Sequence, residues 1–150
     1  MGNSRRFLPA ALFVAAALAA GCAPAGDPVR ATLDRMARAA RNRDAAALME
    51  QVAADFQAGD GRSRADAEAL ARSYFAAYAR LDVDFQNVQI ERAENTARVR
   101  LRAVMSGQPL KMGGLSGILP SAASYDFDLR LAREGKTWKV AWASWQPVAD

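Results

Sequence analysis

The chain has 150 residues, 51% of them hydrophobic, with 20 Lys and Arg against 16 Asp and Glu, one Cys and no His. That length suits one ordinary domain. The absence of histidine excludes Ser-His-Asp and Cys-His catalytic sets and most zinc sites, and a lone cysteine excludes a disulfide within the chain.

Met1–Arg6 carries Arg5 and Arg6 and no acid, and the run from Phe7 to Ala20 carries no charge. Such a run is too short to cross a bilayer as a helix but suits the apolar core of a secretory signal. It leads into Leu18-Ala19-Ala20-Gly21-Cys22, which resembles the lipobox of bacterial lipoproteins at every position. Small residues before the cleavage point let an extended backbone enter the signal peptidase, and the Cys22 thiol is the group that takes the diacylglyceryl chain. The resemblance implies a signal peptide over 1–21, acylation of Cys22 with palmitate-type chains, and a short tether over 22–27. Ala23 stands where an Asp would retain such a protein in the inner membrane. The implied address is therefore the bacterial cell envelope, anchored to the outer membrane and facing the periplasm.

Competing addresses fit less well. Arg6 occupies the position where N-myristoylation prefers Ser or Thr, and Arg5-Arg6 lacks the spacer of a twin-arginine signal. Without Arg5 and Arg6, residues 22–150 carry 18 basic and 16 acidic side chains. That small surplus, in a compartment without nucleic acid, argues against a nucleic-acid partner.

Asp27 fits a helix N-cap, with Pro28 at the first helical position where its missing N–H costs nothing. Val29, Leu33, Met36, Ala37 and Ala40 recur on one face and predict a first helix. Asp44 can cap a second, in which Ala45, Leu48, Met49, Val52, Ala53 and Phe56 repeat the spacing as far as the Gly59-Asp60-Gly61 break. Ser63, with Asp66 three residues on, resembles a capping box and opens a third helix burying Ala67, Leu70, Ala71, Tyr74, Phe75 and Tyr78.

From Val83 the period falls to two. Val83 and Phe85, then Val88 and Ile90, alternate with a phase slip at Gln86-Asn87 that predicts a β-bulge. Ala97, Val99, Leu101, Ala103 and Met105 alternate with Arg98, Arg100 and Arg102. Tyr125, Phe127, Leu129 and Leu131 alternate with Asp126, Asp128 and Arg130, and Trp138, Val140 and Trp142 begin a last strand. Helices followed by alternating strands argue for an α+β domain with an antiparallel sheet buried on one face.

This order resembles small NTF2-like (SnoaL-like) domains over residues 28–150. The residues that carry the likeness are the Arg41-Asn42-Arg43-Asp44-Ala45 junction, Phe56 at the close of the second helix, and Trp138-Lys139-Val140. The resemblance implies an NTF2-like cone, three N-terminal helices packed on a curved four-stranded antiparallel sheet with a pocket at its open end. Enzymes and binding proteins share such folds, so function has to be read from the site.

None of the inward sheet positions is a carboxylate, which argues against acid/base catalysis and for a non-catalytic ligand-binding or protein-interaction module. No catalytic residue is assigned on this reading. Tyr74 and Tyr78, four apart on the third helix, with Trp142 and Trp145, are the candidate lining of a cavity for an apolar, lipid-like or aromatic ligand. The alternative is a small isomerase- or cyclase-type enzyme using Asp55 or Asp60 at the pocket rim as acid/base. Arg98, Arg100 and Arg102 form an outward row on which a homodimer could form, with Arg102 expected opposite Asp128 and Arg100 opposite Arg130.

The connection Gly107–Ser124 carries Leu110, Met112, Leu115, Ile118 and Leu119, an apolar content that makes it the candidate loop for an envelope-protein partner. Its Gly113-Gly114-x-x-Gly117 stretch lacks the Lys-Ser/Thr of a phosphate loop, so neither a cofactor nor a metal is expected.

Overall fold

The computed structural model describes residues 26–110 and 120–149. The signal segment, Cys22 and the loop residues Met112, Leu115, Ile118 and Leu119 lie outside the described residues. In chain order the elements are α1 (Pro28–Arg41), α2 (Ala45–Met49), β1 (Val52–Ala58), α3 (Arg64–Ala76), β2 (Tyr78–Arg92), β3 (Thr96–Pro109), β4 (Ala122–Glu134) and β5 (Thr137–Pro147).

Local chemistry sets the helix starts. The Asp27 carboxylate accepts the Val29 N–H at 2.9 Å ahead of Pro28, and the Asp44 carboxylate accepts that of Ala47 at 2.9 Å. At α3 the Ser63 hydroxyl accepts the Asp66 N–H while the Asp66 carboxylate accepts the Ser63 N–H at 2.8 Å, a complete capping box.

The expected second helix is corrected. It ends at Met49 after five residues, and Val52–Ala58 is instead a strand paired in parallel with β5, Val52 opposite Val140 and Ala58 opposite Ala143. Phe56 therefore sits on a strand rather than closing a helix. Spacings of four residues satisfy both a helical and an extended period, and only the distant β5 decides between them. The sheet is consequently five-stranded and mixed, in the order β1-β5-β4-β3-β2, in place of the four antiparallel strands expected.

The sheet wraps α1, which contacts both β2 at one edge and β5 near the other. Val29 and Leu33 of α1 are sealed against Val99, Leu101, Leu129, Leu131, Trp138 and Val140. A second cluster joins Phe75, Tyr78, Leu81 and Val83 with Ala45. Among the described residues the single buried polar side chain is Thr32, whose hydroxyl donates to the Trp138 carbonyl at 2.9 Å and accepts from Arg35 at 3.0 Å.

Two arginines at the end of α1 cover part of the exposed β2 edge. Arg41 donates to the Val83 carbonyl and Arg43 to the Tyr78 carbonyl at 2.8 Å, which occupies acceptors that another strand would otherwise find. With Arg35 bonded to Gln51 at 2.8 Å, much of the positive charge of α1 is engaged within the domain.

The expected bulge in β2 is present: the β2–β3 register shifts between Gln86 and Gln89, with Asn87 at φ 52°. Gln86 and Asn87 are both exposed, so the bulge does not turn either one into the core. The β3–β4 register differs from expectation by two residues. Met105 faces Ala123, Arg102 faces Asp126, and Arg100 faces Asp128.

Candidate functional site

Two surfaces of the sheet carry chemistry. The inner one gathers aromatic side chains toward the end where α3 runs into β2. Tyr74, on α3, and Tyr78, the first residue of β2, place their rings 5.0 Å apart, and Tyr78 is 1% exposed with its hydroxyl donating to the Pro120 carbonyl at 2.8 Å. Gly107, opposite Leu81 on β3, leaves room for this ring: a Cβ there would lie 2.7 Å from Tyr78 Cδ1 and 2.8 Å from the Arg80 carbonyl oxygen. The row continues along the sheet, with Tyr125 edge-on to Phe127 at 6.5 Å and Phe127 stacked on Trp145 at 5.9 Å.

Burial pushes the Tyr74 phenol well above its ordinary range, and hydrogen bonding with Tyr78 and the nearby Tyr125 add to the effect. At neutral pH Tyr74 is thus a protonated donor. It is unsuited to act as a base.

Three of the four expected pocket residues, Tyr74, Tyr78 and Trp145, lie on this inner side. Trp142 does not. Between Arg130 and Leu131 the β4–β5 register slips, so that Val140 faces Leu131 while Trp142 faces Arg130. One added residue reverses the side-chain phase. Trp142 therefore stands on the outer face, with the Arg130 guanidinium carbon 4.5 Å from its ring centre. Tyr125 and Phe127 complete the inner row, and their inward alternation was the signal that pointed to them.

A groove of about 570 Å³ is lined by the outward polar residues Asn87, Gln89, Arg100, Arg102, Asp126, Asp128, Ser144 and Gln146 and is bordered as well by Leu101 and by Phe127 and Trp145 of the aromatic row. Its charges are largely paired. Arg102 meets Asp126 through two bonds at 2.8 and 3.1 Å, Arg98 meets Asp128 at 2.6 and 3.1 Å, and Arg100 meets Glu91 at 2.9 Å. Arg102 and Arg98 hold the Asp126 and Asp128 carboxyls below the usual carboxylate range.

No described Asp or Glu is buried. Asp55 is exposed on β1. Asp60 is exposed in the turn after it, where its carboxylate takes the Arg62 N–H at 3.2 Å and the Arg62 guanidinium at 3.3 Å. Neither is brought to the aromatic row. Among the described residues no group of three or more Cys, Asp and Glu side chains could hold a metal. Of the expected partner loop the structure describes Leu110, which is 39% exposed and whose N–H donates to the Ala77 carbonyl at 2.9 Å. No described helix is long and apolar enough to cross a membrane.

No protein-family model matches the chain, and no curated protein is similar to it in sequence. Solved structures are similar in fold. A proposed scytalone dehydratase from Novosphingobium aromaticivorans is 10% identical with a TM-score of 0.70, covering 81% of this chain and 83% of that one. A proposed dehydratase of the NTF2-like family from Streptomyces avermitilis is 12% identical with a TM-score of 0.68, covering 82% and 96%. An NTF2-like protein from Cytophaga hutchinsonii is 16% identical with a TM-score of 0.61, covering 80% and 95%. The chain has the NTF2-like α+β fold, and identities this low speak to fold alone.

Proposed function

We propose that the protein is a lipid-anchored envelope protein, acylated at Cys22 on the periplasmic side of the outer membrane, whose NTF2-like domain binds an apolar ligand or a protein partner without catalysis. The observation that carries the non-catalytic reading is the chemistry of the inner face. It offers aromatic rings and the raised-pKa phenol of Tyr74, whereas the carboxylates of the described domain stand outside in caps, ion pairs or solvent. Such a surface suits a lipid-like or aromatic molecule, and the outer face with its paired Arg and Asp suits a second copy of the chain.

Native mass spectrometry of the full protein, extracted from membranes in mild detergent, tests this reading. A mature mass beginning at acylated Cys22 is expected, with an apolar adduct, a dimer or a protein complex. An unmodified chain retaining Met1 would sink the anchor. In the Cys22→Ala variant the protein should lose its membrane association.

The second reading, an enzyme, draws on the likeness in fold to the proposed dehydratases. It requires acid/base work from Asp55 or Asp60, or donation from Tyr74. An activity abolished by Asp55→Asn or Asp60→Asn would favour it, whereas a binding module should be indifferent to both changes.

A further inference from the structure

The position at which the tether enters the domain constrains how an anchored domain can stand. Asp27 is fixed to one end of the sheet: its carboxylate takes the Arg92 guanidinium at 2.8 Å while capping α1. Arg92 is the last residue of β2, and its guanidinium carbon lies 5.9 Å from the ring centre of Trp138, at the start of β5. The β2–β3 turn around Glu94 and the β4–β5 turn at Gly135-Lys136 lie at this same end.

The aromatic row leads to the opposite end. There Arg43, beyond the C-terminus of α1, holds the Tyr78 carbonyl, and Tyr78 faces Pro109 and bonds Pro120. The 14 residues of α1 separate the two ends by about 21 Å at the helical rise. The five residue steps from Cys22 to Asp27 reach at most about 17–18 Å when fully extended. With the tyrosine end pressed on the bilayer, the tether would be too short to reach its own anchor.

We propose that the lipidated protein stands with the Arg92–Trp138 end nearest the membrane and presents the tyrosine end to the aqueous compartment. The inference rests on the proposed acylation of Cys22. Whatever occupies the tyrosine end then arrives from the aqueous side, delivered in solution or on another protein, and does not rise from the leaflet beneath.

Acylation consumes the natural thiol, so one added cysteine provides a single labelling site on the full chain. Lys136→Cys and Ser121→Cys, both at exposed positions, would carry a fluorophore at the two ends. The labelled lipoprotein would be reconstituted in vesicles of phosphatidylethanolamine and phosphatidylglycerol containing a headgroup-bound quencher. The Lys136 label is expected to be quenched severalfold more strongly than the Ser121 label. Equal or reversed quenching would overturn the orientation. An intact mass without acyl chains, with no co-flotation of protein and vesicles, would instead fail the anchor itself, and the orientation with it.

Discussion

Arg130 lies over the ring of Trp142, its guanidinium carbon 4.5 Å from the ring centre, on the outer face of the sheet. The contact exists because the slip between Arg130 and Leu131 turns Trp142 away from the core. Gly59 lies against the same ring. A Cβ there would come within 3.2 Å of Trp142 Cζ2 and 3.0 Å of Ser144 Cβ, so the turn after β1 is built around this tryptophan.

Arg130→Ala should therefore lower stability by about 0.5–1 kcal/mol, the range for an exposed cation–π contact. A thermal-melt double-mutant cycle with Trp142→Leu isolates the term. Full additivity of the two changes would show that the pair contributes nothing.

Gly107→Ala should destabilise by about 1–3 kcal/mol, as overpacking against fixed neighbours does. The added methyl meets the Tyr78 ring and the Arg80 carbonyl oxygen, and the latter belongs to the backbone. Urea denaturation reads the loss directly. Tyr78→Phe, which removes the hydroxyl bonded to Pro120, should cost about 1 kcal/mol. A Gly107→Ala midpoint equal to the parent's would show that β2 and β3 separate without penalty.

Phe56 is 6% exposed on β1. Truncation to Ala should cost about 3–5 kcal/mol, the range for a large aromatic removed from a core. Hydrogen exchange in this variant should show lost protection in both β1 and the facing part of β5, since the two strands pair in parallel. Loss confined to the α1–α2 region would argue against the strand.

Stability should be flat from pH 5 to 8, because the chain has no histidine. The carboxyls of Asp66, Asp126 and Asp128 are held below their ordinary values, Asp66 by the Ser63 backbone bond, Asp126 by Arg102 and Asp128 by Arg98. A depressed folded-state value contributes stability that is present above the unfolded-state pKa, about 3.9 for Asp, and disappears as pH falls through the lower folded-state value. The melting temperature should thus hold to about pH 4.5 and drop below about pH 4. A transition centred between pH 5.5 and 7.5 would contradict this account.

The inner row was legible in part. Tyr78, expected on the third helix, instead opens β2, since that helix ends at Ala76, and Trp145 stands outside the alternation of the last strand. Tyr74 followed from helical spacing and Tyr125 and Phe127 from strand alternation, both of which depend on chain geometry close at hand. Trp142 did not, because extending the alternation past Val140 assumes an unbroken strand. The Gln86-Asn87 bulge announced itself in its own apolar phase, whereas the β5 slip is marked only by the three-residue step between Trp142 and Trp145, which does not say which of the two turns inward. The Arg102–Asp126 pair was placed two residues out of register, since the hairpin joining β3 to β4 is long and offers no turn type to set the pairing.

The sequence by itself determined the caps of α1 and α3, the switch from a period of 3.6 to one of two, the apolar inner face and the lipobox-like run before Cys22. These rest on interactions within a few residues, or on a motif read linearly. Tertiary structure alone decided that Val52–Ala58 is a strand, that Trp142 faces Arg130, and that Asp27 sits at the end of the sheet opposite Tyr78. The strand and the place of Asp27 depend on contacts between segments about 65–90 residues apart, Val52 with Val140 and Asp27 with Arg92, and the place of Trp142 depends on a slip within the β4–β5 hairpin; no local period encodes these pairings.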